Sequence, residues 1–176
     1  MSTPPFEPAS DRDIAVVSAQ LGRPARGVLG IAARCVCGNP TVVATAPRLP
    51  GSRSPFPTLY YLSHPAATAA MSRLEAAHVM ADLQELLDTD AEIVGAYRAA
   101  HDSYLRDRES IEVVEEIRGF SAGGMPTRVK CLHALAAHAL AAGPGVNPIG
   151  DVALERGNWS PAVCECADYS ASTGPL

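Results

Sequence analysis

Two pairs of cysteine residues offer the sulfur atoms that a soft metal ion requires. Cys35 and Cys37 enclose one residue and are followed by Gly38, and Cys164 and Cys166 repeat this spacing near the end of the chain. Cysteines two positions apart on a strand point the same way, about 6.5–7 Å apart, and a turn brings them closer. Four thiolates complete a tetrahedral zinc site, and sulfur ligands also suit an iron–sulfur cluster. The pattern predicts one of these metal sites.

Other interpretations of the same cysteines stay open at this point. Cys35 continues the apolar side of a strand, so it can be a buried core residue while the tail cysteines have no role. Cys131 and His133 are an alternative second pair of ligands for Cys35 and Cys37. Redox use of the thiols is a further alternative, although five cysteines cannot form a complete set of disulfides.

Residues 121–133, with the sequence SAGGMPTRVKCLH, predict an anion-binding pocket. The glycine-rich loop leads to Pro126, a residue typical of the first helical turn, and the start of a helix exposes unpaired N–H groups that attract anions. Arg128 and Lys130 add positive charge, which would also lower the pKa of the Cys131 thiol. The predicted anion-binding residues are Arg48, Ser121, Gly123, Gly124, Arg128, Lys130, Asn147 and Asp151. If the pocket is catalytic, Cys131 and His133 are the candidate reactive groups.

The elements that must position these residues indicate an α+β fold. A helix is predicted over residues 11–21, and a small antiparallel sheet of about three strands over residues 27–62, with strand-like runs at 28–35, 41–46 and 58–62. From Pro65 the spacing of apolar residues becomes helical. Ser72 and Glu75 resemble a capping box that begins one helix, and Asp90 can cap the next. We expect a single domain over residues 1–156 and a mobile tail over residues 157–176.

Charge and composition narrow the class of protein. The chain has 176 residues, 47% of them hydrophobic, and a formal net charge of −5, which argues against broad nucleic-acid binding. No apolar stretch reaches the length of about 18 residues that spans a membrane, and the N-terminus does not resemble a secretory signal. We therefore expect a cytoplasmic protein that does not insert into a membrane.

The chain also resembles a known family. Arg34–Cys35 and the runs TAPRL (45–49), PFPTLYYL (55–62), SAGGMPTRVKCLHAL (121–135) and AGPGVNPIGD (142–151) resemble an actinobacterial family catalogued only as a domain of unknown function, number five hundred and one. The resemblance covers about residues 14–151. Members tend to be encoded near a septum formation initiator and an exopolyphosphatase, so the resemblance implies a link to division or polyphosphate metabolism. It brings no established reaction or cofactor.

Three hypotheses of function follow. The first is a protein that binds an anionic small molecule at residues 121–133, with catalysis there left open. The second is a zinc or iron–sulfur protein that uses the Cys-x-Cys pairs. The third is a non-enzymatic partner of the cell-division machinery.

Overall fold

The computed structural model describes residues 6–170, which form an α+β fold with four strands and six α-helices. The elements are β1 (Glu7–Pro8), α1 (Asp11–Leu21), β2 (Val28–Arg34), β3 (Pro40–Thr45), β4 (Tyr60–Leu62), α2 (Pro65–Ala76), α3 (Val79–Thr89), α4 (Ala91–Glu109), α5 (Leu132–Ala142) and α6 (Pro148–Arg156). The predicted fold class is confirmed. The sheet has four strands instead of about three because the two-residue β1 pairs with β2 at its edge.

The sheet is antiparallel throughout, in the order β1-β2-β3-β4. All six residues of β3 are buried, because helices cover the sheet on both faces. Side chains alternate between the two faces of a strand. Val43 accordingly packs with Val17 of α1 on one face. Val42 and Ala44 belong to the larger core, which the helical half of the chain builds on the other face.

Local capping signals explain where several helices begin. Ser10 caps α1 by accepting a hydrogen bond from the Asp13 amide, while the Asp13 carboxylate accepts one from the Ser10 amide. The Asp90 carboxylate caps α4 as predicted. Ser72 and Glu75 do not begin a helix: they lie near the end of α2, whose first residue is Pro65. The predicted capping box is therefore wrong, and Glu75 has a different partner.

The helix predicted at Pro126 begins instead at Leu132. Residues 121–131 form an irregular loop, so the preference of proline for a first helical turn does not decide the start of α5. The helix ends at Ala142, before Gly143, as that glycine predicts.

The tail is packed over part of its length. Trp159 and Tyr169 are only 6% and 8% exposed, and the backbone amide of Val36 donates to the carbonyl of Pro161 over 2.8 Å. These contacts hold residues 157–170 against the sheet. The division of the chain at residue 156 stays a prediction, and residues 171–176 lie outside the described part of the chain. Within residues 6–170 no helix is both long and apolar enough to cross a membrane.

Candidate metal centre

The four predicted cysteine ligands come together in the fold. One sulfur atom from each of Cys35, Cys37, Cys164 and Cys166 lies within 4.8 Å of all the others, and the sulfurs of Cys37 and Cys166 are 3.4 Å apart. The first pair lies at the turn between β2 and β3, and the second pair lies in the tail. The alternative in which Cys131 and His133 complete this group is wrong, because those residues belong to a separate group with Glu75.

The backbone of the turn between β2 and β3 shapes the first half of the site. The Gly38 amide donates to the carbonyl of Cys35 over 2.8 Å, and the Cys35 amide donates to the carbonyl of Asn39 over 2.9 Å. Gly38 has a φ of +88°, a conformation that a residue with a Cβ atom rarely adopts. The tight turn brings Cys35 and Cys37 to one side of the hairpin, where both sulfurs face the tail.

His64 also contacts the cysteine cluster, although the sequence does not single it out. Its Nδ1 atom accepts a hydrogen bond from the Ala67 amide at the start of α2, so the proton of the neutral ring lies on Nε2. Nε2 lies 3.2 Å from the sulfur of Cys166 and donates to it. The ring also packs against Trp159 of the tail. Burial lowers the pKa of His64, which keeps the ring in this neutral form.

The environment favours a thiolate at Cys37. Desolvation opposes ionisation there, but hydrogen bonds from the Asn39 amide and from the neighbouring cysteines outweigh it and lower the pKa of Cys37 to about 7. Burial raises the pKa of Cys35 and of Cys166 because desolvation disfavours the thiolate, and repulsion between neighbouring thiolates adds to this effect. A bound cation would remove that repulsion and allow all four sulfurs to ionise.

A second cluster is formed by Glu75, Cys131 and His133, which also lie within 4.8 Å of one another. One carboxylate oxygen of Glu75 accepts from the Leu132 amide over 2.8 Å and lies 3.2 Å from His133 Nδ1. The other ring nitrogen, Nε2, lies 3.2 Å from the carbonyl of Thr68 and 3.1 Å from the hydroxyl of Ser72. Glu75 thus caps α5, a helix that begins 57 residues later in the chain.

Cys131 and His133 shift each other's titration. The hydrogen bond with His133 lowers the pKa of Cys131 against the opposing effect of burial, and the same bond raises the pKa of His133. The Ala134 amide, in the first turn of α5, also lowers the pKa of the thiol. The sequence predicts the same direction for the pKa of Cys131 but a different cause, because Arg128 and Lys130 do not contribute to this shift.

Most of the chain matches one known protein family. The family described as "Protein of unknown function (DUF501)" matches residues 31–155, more than half of the 176 residues. The chain belongs to this family. No curated protein and no solved structure matches this chain.

The segment that matches the DUF501 family contains the second cluster entirely and the first cluster in part. Glu75, Cys131 and His133 all lie between residues 31 and 155, as do Cys35 and Cys37. Cys164 and Cys166 follow the matched segment.

The backbone donors that the predicted anion pocket requires are already used within the protein. The amides of Arg128 and Lys130 donate to the carbonyls of Gly124 and Gly123, over 2.9 and 2.8 Å. The Val129 amide donates to the side-chain oxygen of Gln84, and the Leu132 amide donates to Glu75. The anion at the N-terminus of α5 is therefore the protein's own Glu75 carboxylate, and the predicted pocket gains no support from this loop.

The remaining predicted anion-binding residues have structural partners. Arg48 forms ion pairs with Glu112 and Glu116. Asn147 is fully buried, caps α6 by accepting from the Gly150 amide, and contacts His138. Asp151 accepts from the Gly145 amide, and Ser121 contacts His101. Gly123 packs closely against Leu135, and Gly124 packs against the backbone of Arg128. The side chains of Arg128 and Lys130 are exposed.

A surface cleft lies elsewhere, between α1, β4 and α2. It has a volume of about 380 Å³, and its lining contains no charged residue: Gln20, Leu21, Tyr61, Leu62, Ser63, Pro65, Thr68, Ala69 and Ser72. Thr68 and Ser72 connect this cleft to the ring of His133. An uncharged cleft does not provide the positively charged pocket that the sequence predicts.

The sequence did not predict two residues of these clusters, His64 and Glu75, as parts of a site. His64 carries a weak signal: a histidine immediately before the proline that opens a helix is well placed to cap that helix. Glu75 fits a local capping motif, and nothing in its sequence neighbourhood indicates a partner in α5. Both residues acquire their roles from contacts between distant segments.

Proposed function

We propose that this protein binds one zinc ion through Cys35, Cys37, Cys164 and Cys166, and that the ion fastens the C-terminal segment to the sheet. The observation that carries the proposal is the convergence of four sulfur atoms within 4.8 Å from two segments more than a hundred residues apart. Free thiols gain little from such crowding, because the ionised forms repel one another. A divalent cation turns the same crowding into favourable coordination.

The spacing favours a single ion over an iron–sulfur cluster. Four sulfurs at about 2.3 Å from a tetrahedral zinc ion stand about 3.8 Å from one another. The four sulfurs lie within 4.8 Å of one another, with one pair at 3.4 Å, which is compatible with that arrangement. In an iron–sulfur cluster the thiolates are divided between two or more iron atoms, so the full set is spread more widely. A single tetrahedral ion therefore fits these four residues better than a cluster does, and zinc is the usual ion in a site of four cysteines.

The surroundings favour a structural site. All four coordination positions are filled by protein sulfurs, which leaves none for a substrate. The hydrogen bond from His64 Nε2 to Cys166 orients a sulfur and disperses its charge, as partners outside the ligand set commonly do. The bond between the Val36 amide and the Pro161 carbonyl joins the two halves beside the site. The ion would add a second link between the hairpin turn and the tail, beside this backbone hydrogen bond.

Metal analysis of the full-length chain, purified under reducing conditions, tests the proposal. We expect bound zinc in the wild-type chain and the loss of one zinc ion per chain in the double variant Cys37→Ser, Cys166→Ser. Cobalt(II) in place of zinc should give the intense charge-transfer absorption of four thiolates. Cys131→Ser is the matched control, because it removes the remaining cysteine and should leave that four-thiolate spectrum unchanged.

Two results would contradict the structural zinc site. One is wild-type protein that binds neither zinc nor cobalt with the spectrum of four thiolates. The other is a double variant that retains this spectrum. Iron in place of zinc, with the spectrum of a cluster, would also overturn the choice of a single ion.

A further inference from the structure

Three different ligand atoms converge at the start of α5. An oxygen of Glu75, a nitrogen of His133 and the sulfur of Cys131 lie within 4.8 Å of one another, and the oxygen and nitrogen are 3.2 Å apart. Two ligands of one zinc ion, each about 2.0–2.2 Å from it, stand about 3.3–3.5 Å apart in tetrahedral geometry. We propose that Glu75, Cys131 and His133 bind a second zinc ion, with a fourth coordination position open to solvent.

The hydrogen bonding of His133 prepares Nδ1 as a ligand. The carbonyl of Thr68 can only accept a hydrogen bond, so His133 Nε2 carries the proton that is donated to it. In the neutral ring, the lone pair of Nδ1 then faces the Glu75 carboxylate oxygen, which is also an acceptor. A metal ion bound between these two atoms, or a proton on Nδ1, makes their 3.2 Å contact favourable. Metal-binding histidines typically hold their other ring N–H in this way, on a backbone carbonyl.

A nucleophilic cysteine with its relay is the alternative use of these residues, in which the thiol and the carboxylate engage opposite nitrogens of the histidine ring. Here Nε2 already contacts Thr68 and Ser72, and Nδ1 faces the Glu75 carboxylate. The three ligand atoms lie within 4.8 Å of one another, as the ligands of one metal ion do.

Charge and scaffold also suit a metal ion. One thiolate and one carboxylate balance the two positive charges of zinc. Glu75 is held by the Leu132 amide, and the helices that carry the ligands pack through fully buried residues, with Met71 of α2 and Leu132 and Leu135 of α5 among them. The ligands are thus placed before any metal arrives, which lowers the cost of binding.

The site is open where the cysteine cluster is closed. Within residues 6–170 the group contains three candidate ligands and no fourth cysteine, histidine or acidic side chain. The side chains of His133 and Glu75 are each 27% exposed, so water can reach the ion. Three protein ligands and one water molecule are the pattern of catalytic zinc, which lowers the pKa of that water to about 7. The chemistry that this site would supply is the activation of water.

Metal analysis and cobalt spectra of the full-length chain test the second site. We expect two zinc ions per wild-type chain and the loss of one in Cys131→Ser, with the four-thiolate cobalt spectrum retained. Cys131→Ser keeps a hydroxyl at the cap of α5, and Glu75→Gln, which should weaken the same ion, keeps an oxygen for the Leu132 amide. Ser72→Ala is the matched control, because it removes a contact to His133 Nε2 but no ligand, and should retain both ions. Added azide should change the one-thiolate part of the wild-type spectrum only.

Two results would overturn the second site. The first is a Cys131→Ser chain that binds as much zinc as the wild type. The second is a metal-free cluster in which iodoacetamide alkylates Cys131 rapidly near neutral pH and His133→Ala slows the reaction, which would assign the cluster to a reactive thiol. Because the four-thiolate spectrum reports the first site separately, failure of either site is distinguishable from failure of the other.

Discussion

The two clusters of candidate ligands are assembled in opposite ways. The cysteine cluster joins a hairpin turn to the tail, and three of its four cysteines are not buried. The cluster of Glu75, Cys131 and His133 lies on α2 and at the start of α5, which pack against each other in the main core. In the proposed assignment, the metal of the first cluster joins distant segments. The second cluster has its ligands in place through the packing of α2 against α5 and the hydrogen bond from the Leu132 amide to Glu75.

Under the two proposals, this difference would separate two uses of a metal ion in one small protein. A closed set of four sulfurs adds stability and offers no position for a substrate. A mixed set with an open position adds little stability but can activate water. The comparison therefore predicts that metal removal disorders the tail and leaves the helical core intact.

The largest expected effect is the release of residues 157–170 when a chelator removes zinc. The stabilisation by a bound ion exceeds about 4 kcal/mol once zinc is present at more than a thousand times its dissociation constant. Without it, the amide of Val36 and the tail amides should exchange with deuterated solvent much faster, while the amides of α5 keep their protection. Hydrogen exchange read by mass spectrometry measures both regions in one sample.

The cysteine variants provide the control for this experiment. The double variant Cys37→Ser, Cys166→Ser should show the fast tail exchange without chelator, and added chelator should change it little. Equal protection of the tail amides with and without zinc would show that the first cluster does not fasten the tail to the sheet.

The next largest effect concerns the loop that leads to Cys131. A Cβ atom at Gly124 would lie 2.5 Å from the carbonyl oxygen of Arg128, and Gly124 has a φ of +96°. The overlap with backbone and the strained φ together should lower the free energy of unfolding of Gly124→Ala by about 4 kcal/mol. Urea unfolding measures this change.

Gly119→Ala is the matched control, because Gly119 has a φ of +75° but nothing within 4 Å of its added Cβ atom. It should lose only about 1 kcal/mol, the cost of the φ strain. A similar loss in both variants would show that the close packing at Gly124 does not matter. The four-thiolate cobalt spectrum should survive in both variants, since neither glycine contacts the cysteine cluster.

The parts of the fold that sequence predicts are those with local causes. The apolar spacing over residues 11–21 gives α1, and Asp90 caps α4 because its side chain reaches amides only two and three residues ahead. The two helix signals need no information about distant segments. The two Cys-x-Cys pairs predict the first cluster in a different way: each pair is a local ligand motif, and the fold brings the two motifs together.

The failures share a different cause, which is competition from distant partners. The amides after Pro126 form hydrogen bonds to Gly123, Gly124 and Gln84, so a loop replaces the expected helix. Glu75 fits a capping motif in its own helix, yet its carboxylate caps α5. Such choices depend on the assembled core and have no local signature.

A moderate effect concerns acid stability and His138, which lies in α5 inside the core. His138 is fully buried between Tyr60 and Tyr104, and this burial lowers its pKa from 6.5 to about 4. Between these values the unfolded chain binds a proton that the folded chain does not, so stability falls as pH falls. The loss amounts to about 3 kcal/mol when the pH lies below both values.

His138→Gln should remove most of that loss, although it lowers stability at neutral pH. Urea unfolding in the presence of chelator, above pH 6.5 and near pH 4, measures the difference without a contribution from metal release. His78→Gln is the control, because His78 is exposed and should leave the pH dependence unchanged. An unaltered acid dependence in His138→Gln would show that His138 does not cause the loss.

The smallest expected effect is on the zinc affinity of the cysteine cluster, and it concerns one hydrogen bond to a sulfur. His64 Nε2 donates to the Cys166 sulfur. His64→Phe removes this donor together with the Nδ1 acceptor at the start of α2, while keeping a ring against Trp159. Loss of such a partner typically lowers metal affinity by at least tenfold. We therefore expect the dissociation constant for zinc at the cysteine cluster to rise about tenfold, which corresponds to a loss of about 1.4 kcal/mol in binding free energy. His64→Gln, whose amide can donate to the same sulfur, should restore most of the affinity. Competition with a coloured chelator measures the constants, and equal affinity in the Phe and wild-type chains would show that the closed site relies on its four sulfurs alone.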